Sequence, residues 1–305
     1  MPEGDTIYRA AVAMHRALAG RVVTRFESVY PAVNRIADDR PIVGRTIESV
    51  SARGKHLLIA FSGGLVLRTH MRMNGSWHLY RLGIRWQRPA RDMRVLVGAG
   101  DVEAVGFNVP VAELLTAREL ARHAQLNALG PDLLDPAFDP AEATRRMRAC
   151  GRDAVGDALL NQRVLAGVGN VFKSEILFLA GIEPFTPVAA LSDGDIDRLV
   201  AISREQLAAN VLTRSQTLSP SIGRRTTRSL DPHAKLWVYG RGGKPCRRCG
   251  TAIQMKKTGL DARPTFLDLG WLGEWGRDRY RSYVLEGLEQ PTAARAIAVT
   301  SPSQR

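Results

Sequence analysis

Apolar positions recur at helical spacing near the start of the chain and at strand spacing after it. Ile7, Ala10, Ala11, Met14 and Leu18 share one helical face, with Asp5 placed to cap it and Gly20 to end it, so a helix is expected over 5–20. Seven short stretches of strand character follow, at 21–29, 45–51, 56–61, 65–70, 75–80, 94–98 and 102–106, several of them parted by Gly, Asp or Ser. Short strands at such spacing predict a sandwich or barrel. From about Thr116 to Asn210 the period becomes helical, broken by the Pro-rich link 130–140. Residues 211–230 read as a polar, basic loop, and 236–266 as a small turn-rich module around a Cys-x-x-Cys. From about 284 onward no pattern emerges, and no internal repeat is visible.

Length and composition fit that division. A chain of 305 residues suggests two domains at roughly 150 residues each, with room for a small module. It is 45% hydrophobic and 24% charged, which is a globular balance. No apolar run approaches the ~18 residues of a membrane helix, and MPEGDT carries two acids where a secretory signal would be apolar. Three cysteines (Cys150, Cys246, Cys249) make no disulfide framework, so a cytosolic setting is expected.

Charge points to a partner. Lys and Arg number 43 against 30 Asp and Glu, a net of +13, and only six of the 43 are lysines. A GC-rich genome would also write Arg for Lys, so the ratio alone decides nothing. Its distribution says more: residues 221–263 hold eleven basic residues and two aspartates. A field that concentrated is a polyanion footprint, and nucleic acid is the leading partner.

Proline is the second residue, followed by Glu3 and Gly4 ahead of the first helix. Initiator methionine is normally removed before a small residue, which would expose a secondary amine. An α-amine titrates near pH 7.7–8, so about a tenth of it is neutral at pH 7, against about one in a few thousand for lysine. Such an amine can attack a carbon at the aldehyde oxidation level and form a Schiff base, with Glu3 as general acid and base. Met-Pro-Glu starts are also common in proteins with no such chemistry.

Several motifs occur together and in order: MPEG at the start, RGKHLL at 53–58, LGPDLL at 129–134, LLNQRVLAGVGNVFKSEILF at 159–178 and YGRGGKPCRRCGTAI at 239–253. With them the chain resembles the formamidopyrimidine-DNA glycosylase / endonuclease VIII family of base-excision repair enzymes, from residue 1 to about 266. MPEG, rather than MPELPE, makes it similar to the endonuclease VIII branch. The resemblance implies an α+β, multidomain fold. An N-terminal β-sandwich with its leading helix would span 1–117 and a helix–two-turn–helix domain 118–230. A degenerate zinc-finger-like β-hairpin would span 236–271 and a divergent tail 272–305, with DNA between the domains.

The resemblance also assigns roles. Pro2 would attack C1′ of the damaged nucleotide, and Glu3 would protonate the sugar ring oxygen and move protons during β,δ-elimination. Lys55 would hold the phosphate beside the lesion; without the resemblance it is a solvated turn lysine. Gly167 and Gly169 separate two helical stretches, so the glycines would let backbone amides and Asn170 approach phosphate at a helix N-terminus; the alternative is a plain helical hairpin turn. Met73 falls where an apolar wedge fills the space of the flipped base, although methionine is also ordinary core. Arg72 and Asn74 flank it and depart from familiar versions, as does Thr6, where many relatives carry Glu. Arg263 matches a hairpin arginine that contacts phosphates around the flipped nucleotide.

One part of the pattern is missing. Cys246-x-x-Cys249 is half of a structural zinc ribbon, which needs four ligands, normally with a second Cys pair some 15–20 residues on. Asp268 and Trp271 stand in the places of that second pair. Asp can bind zinc and Trp cannot, and Cys150 lies too far upstream to help. Two readings stay open: a hairpin that holds without metal, with Phe266 and Trp271 packed where zinc would bind, or a C-terminus replaced by a frameshift near 267. The expectation is no stably bound zinc and no other cofactor.

The expected protein is therefore a monomeric DNA glycosylase/AP lyase acting on damaged double-stranded DNA, with oxidised pyrimidines favoured. It would be cytoplasmic, nucleoid-associated when bound, with no membrane contact. A non-catalytic damaged-DNA-binding protein of the same fold is the main alternative. A general nucleic-acid binder would explain only the charge.

Overall fold

The computed structural model describes residues 2–212, 223–258, 263–268 and 270. The chain forms two compact units, one of residues to Phe138 together with 207–212, the other of Asp139–Gln206 with the described residues from 223 onward. The tail expected at 272–305, Trp271, and residues 213–222 of the expected 211–230 loop lie outside the described residues.

The first unit opens with α1 (Gly4–Leu18), one residue earlier than its pattern predicts. Its N-cap is Glu3 rather than Asp5: the Glu3 carbonyl accepts from the amides of Thr6 and Ile7. Asp5 sits instead in the first turn, where the positive helix end favours a carboxylate. There follow β1 (Val23–Ser28), α2 (Pro31–Asp39), β2 (Ile47–Arg53), β3 (His56–Phe61), β4 (Leu65–His70), β5 (Ser76–Arg81), β6 (Met93–Ala99), β7 (Val102–Phe107), β8 (Val111–Thr116), α3 (Ala117–Ala121) and α4 (Ala124–Asn127).

Each strand predicted from the sequence is present, β3 and β4 at their predicted bounds. The pattern missed α2 and β8. The apolar face of α2 is short, Val33 buried with Ile36 and Ala37 packed beside it, and Pro31 at its first turn is the other local signal. In β8 only Leu114 is buried, which leaves no clear alternation. The strands build two four-stranded antiparallel sheets, ordered β1-β6-β7-β5 and β2-β3-β4-β8. Apolar residues of both sheets and of α1 join in one buried cluster, from Ile7 and Met14 through Leu57, Ile59 and Leu67 to Val95 and Val97. Each such large side chain contributes about 1.5–3 kcal/mol of burial, so this cluster sets the sandwich.

Strand order has a local consequence. Both β5 and β6 pair antiparallel with β7, so they run parallel to each other and need a crossover. Residues 82–92 make it, and Trp86 packs on a second small cluster of Tyr80, Leu96, Val105 and Phe107.

The second unit contains α5 (Pro140–Arg148), α6 (Val155–Leu160), α7 (Asn170–Ala180) and most of α8 (Asp193–Leu212), followed by the hairpin β9 (Gln254–Thr258) and β10 (Arg263–Leu267). The helix expected through Ala166 stops at Leu160. Beyond it Gln162 replaces helical bonding: its side-chain amide donates to the carbonyls of Leu160 and Val168, and its oxygen accepts from Gly167 N–H. Gly167 needs its φ of +109°, which other residues rarely adopt. All eleven residues of α7 are buried, including Asn170, Lys173 and Glu175, and Gly181 closes it in the left-handed region. A helix buried on every side is a structural axis, and its polar groups must find internal partners.

Candidate active site

Pro2 is half-buried and stands directly before Glu3, which is fully buried at the head of α1. Burial of α1's apolar face fixes where this pair sits, because Ile7 and Met14 anchor the helix in the sandwich core. Thr6 turns its hydroxyl to the Asp5 carboxylate, which the Arg9 guanidinium also approaches at 3.5 Å.

Lys55 lies on the two-residue turn between β2 and β3, where Arg53 pairs with His56. Gly54 takes φ +59°, the left-handed conformation a tight hairpin needs at its first central position. Its amide donates to the Asp132 carboxylate at 2.6 Å, which pins the turn and the lysine with it. Behind the turn lies a polar network. Arg68, almost fully buried, donates to Glu113 at 2.5 Å and to Gln125 at 2.6 Å, and lies 3.1 Å from His56 Nδ1. His123 meets the same Glu113 oxygen at 3.0 Å, and the rings of His56 and His70 stand edge to face at 4.8 Å. Burial, then the Arg68 charge, pulls His56 down to about 3. Burial, then Lys55 and Arg68, pulls His70 down to about 4. Both rings are therefore neutral near pH 7.

The turn after β4 carries Arg72 and Met73. His70 Nδ1 accepts the Arg72 N–H at 3.0 Å, and Arg72 holds φ +45°. Gly75 closes the turn: a Cβ there would lie 2.6 Å from the Met71 carbonyl and 3.1 Å from that of Asn108. Asn108 is itself left-handed at φ +50°, and among the described residues these two are the non-glycine cases. Asn visits this region readily, whereas for Arg72 it is uncommon. Met73 is 61% exposed at that turn, so the core alternative fails for it.

In the second unit, α7 grips β10. Asn170 Nδ2 donates to the Pro264 carbonyl at 2.7 Å, Lys173 Nζ to Thr265 Oγ1 at 2.6 Å, and the Phe266 amide to Ser174 Oγ at 3.4 Å. Asn170 is thus buried beside the strand that begins with the exposed Arg263. One turn on, Glu175 accepts the amides of Trp237, Val238 and Tyr239 at 2.7–2.8 Å and the hydroxyl of Thr226. Burial pushes its carboxyl up, against these hydrogen bonds. Lys173 and Glu175 were not legible as special in the sequence; the only signal was two charges inside the apolar run NVFKSEILFLA.

Cys246, Cys249 and Asp268 converge. Their ligand atoms lie within 4.8 Å of one another, Cys249 Sγ is 2.9 Å from Asp268 Oδ2, and the Arg248 amide donates to Cys246 Sγ at 3.3 Å. Burial and the neighbouring Asp268 push the Cys246 thiol up to about 12. Three donors gather among the described residues, one short of a closed structural zinc site. The family's four-ligand site does not fit this donor set, since two thiols and one carboxylate leave it without a fourth ligand among the described residues. Phe266 packs its ring edge-on to Tyr239 at 5.0 Å instead.

Known proteins give this geometry its context. The formamidopyrimidine-DNA glycosylase N-terminal domain matches residues 1–108 and the formamidopyrimidine-DNA glycosylase helix–two-turn–helix domain matches 129–221. A probable endonuclease 8 2 of Streptomyces coelicolor is 43% identical over 271 residues, covering 87% of this chain and 92% of that one. The chain belongs to the formamidopyrimidine-DNA glycosylase / endonuclease VIII family. Another member, the DNA-(apurinic or apyrimidinic site) lyase Nei2 of Mycolicibacterium smegmatis, is 37% identical over 85% of this chain and 94% of its own. Among solved structures of the family fold, the Lactococcus lactis Fpg in complex with abasic-site DNA superposes with a TM-score of 0.73 at 24% identity. That match covers 87% of this chain and 97% of the other. No helix among the described residues is long and apolar enough to cross a membrane.

Proposed function

We propose that this chain is a bifunctional DNA glycosylase/AP lyase of base-excision repair that acts through the amine of Pro2. The family membership and the names of its relatives support the activity. The observation that carries the site is the pairing of Pro2 with a fully buried Glu3 at the head of α1. Once Met1 is removed, the Pro2 nitrogen attacks C1′ and the C1′–N bond of the damaged base breaks, the base leaving with a proton. Glu3 protonates the sugar ring oxygen, the ring opens, and a cationic iminium joins Pro2 to C1′. That cation draws electrons from C2′, so a C2′ proton is lost and the C3′–O bond breaks. A second elimination breaks C5′–O, and water then releases the amine.

Lys55, held by the Gly54–Asp132 bond, takes the phosphate beside the lesion. Met73 enters the stack, with Arg72 and Asn74 beside it on the turn that meets the DNA. Arg263 and the remaining amide hydrogen of Asn170 Nδ2 hold phosphates around the flipped nucleotide. Oxidised pyrimidines are the favoured substrates, by likeness to the endonuclease VIII branch, and ring-opened purines come next. The three-donor cluster holds zinc weakly, so purified protein should carry well under one zinc per chain. Stoichiometric zinc by elemental analysis would overturn that. The same cluster is what favours a second reading, a damaged-DNA-binding protein without catalysis.

Borohydride trapping on duplex DNA with an abasic site separates the two. Untagged protein should form a covalent adduct, and Pro2→Gly or an N-terminal extension should remove it. Retained adduct in both variants would sink the Pro2 assignment, and no adduct from the folded wild type would favour the binding protein.

A further inference from the structure

We propose that the crossover between β5 and β6 is a second phosphate-binding surface, which takes the backbone of duplex DNA outside the lesion site. The proposal rests on the DNA reading above and adds to it a partner surface that none of the family motifs covers. Residues 81–91 place Arg81, Arg85, Arg88 and Arg91 on one segment, all four exposed. Among the described residues none of the four forms an ion pair with a carboxylate, whereas Arg21, Arg25, Arg68 and Arg198 do. Of the nearby acids, Glu103 is engaged by Arg25 at 2.6 Å and by Trp86 Nε1 at 3.3 Å, and Asp101 by Arg21 at 2.6 Å. Arg81 still feels Asp101 and Asp92 follows Arg91, but four arginines without an ion pair on a short segment keep a net positive field that a polyanion relieves.

The segment is also built to hold its arginines in place. Trp86 sits in the aromatic cluster with Tyr80 and Phe107, its ring 5.7 Å from Phe107, and the Gln87 amide donates to the Tyr80 hydroxyl at 3.2 Å. At its far end a 3-10 turn, Ala90–Asp92, is closed by the Arg94 guanidinium, which donates to the Arg91 and Met93 carbonyls. The Asp92 carbonyl then accepts the Asn108 amide at 2.8 Å. Asn108 is the residue whose carbonyl crowds Gly75, so the arginine segment ends beside the turn that carries Met73. A basic surface continuous with the wedge turn would meet the duplex as it bends around the lesion. Phosphate contacts position a protein without reading sequence, and planar guanidinium forks suit phosphate oxygens. Leu82 and Ile84, 60% and 58% exposed on the same segment, make an acidic protein the competing occupant.

Salt dependence tests it. Binding of the full chain to a duplex carrying a non-cleavable abasic-site analogue is measured between about 50 and about 200 mM potassium chloride. Each phosphate contact contributes about 0.9 to the slope of log K against log salt. Arg85→Ala, Arg88→Ala and Arg91→Ala should each lower it by about that amount, and the triple alanine variant by about 2–3. The triple lysine variant should keep most of it, and the loss should be equal on undamaged duplex. An unchanged slope in all the alanine variants, with thermal melts like the wild type, overturns the proposal and leaves the protein partner. A loss confined to lesion DNA overturns it as well, by placing the segment at damage recognition. The two readings fail separately: a wild type without borohydride adduct defeats the enzymatic one, and slopes unmoved in a chain that traps defeat this one.

Discussion

The sandwich sheets and the C-terminal hairpin are held by opposite means. In the sandwich, eight strands and α1 share one apolar cluster, and the buried Arg68 network is an addition to it rather than its main fastening. The β9–β10 hairpin has two strands, too few to be stable alone in water. Its fastening comes from buried polar side chains of α7: Asn170, Lys173 and Ser174 on β10, and Glu175 on the three amides of 237–239. An apolar core tolerates a change in any one member at moderate cost. A polar grip concentrates its energy in a few groups, each expensive to leave unpartnered. A three-donor cluster is therefore compatible with a folded hairpin, because α7 carries the load.

The contrast can be broken in four ways. Glu175→Ala should have the largest effect. It strands three backbone amides and a hydroxyl in a buried place, at a cost of about 3–5 kcal/mol. Limited proteolysis should then cut within 223–268 while the sandwich stays protected, and a protected hairpin would show that the grip lies elsewhere.

Acid should act on the other unit. His56 and His70 are held at about 3 and about 4, below the usual 6.5, so the unfolded chain binds more protons between those values. Their contribution is present in full above pH 6.5 and falls as pH drops toward 4. Between pH 7 and pH 5 the sandwich should lose about 4 kcal/mol. Urea melts at pH 7, 6 and 5 check this, and a flat profile would remove the neutral-histidine pair from the account.

Met73→Ala should change stability by less than about 0.5 kcal/mol, since the side chain is exposed. On a damaged base it should slow excision roughly tenfold while sparing abasic-site cutting, because only the first requires a filled gap in the stack. Equal losses on both substrates would deny it the wedge role. The smallest effect is expected from a chelator, which should leave DNA affinity within about twofold if α7 rather than metal holds the hairpin.

Much of the fold was legible because its signals are local. The α1 face, the Gly54 turn and the strand alternation of β3 and β4 each show within a few residues. The motifs from MPEG to YGRGGKPC marked the family for the same reason. The Arg68 network was not legible, since His56, Glu113 and Gln125 come from three separate stretches of the chain. Nor was the role of Lys173 and Glu175, whose partners lie 51–92 residues away. Asn170 stood out as a loop residue, but only the structure shows its amide shared with the Pro264 carbonyl.

A hairpin fastened in this way also has a different chemical vulnerability. Oxidants attack thiolates first, and a four-cysteine ribbon that loses two electrons to a disulfide releases its metal and its shape together. Here the cluster holds only two thiols, and burial with Asp268 beside it keeps that of Cys246 protonated and poorly reactive. The bonds from α7 are made by nitrogen and oxygen, atoms that peroxide does not oxidise on the thiol ladder.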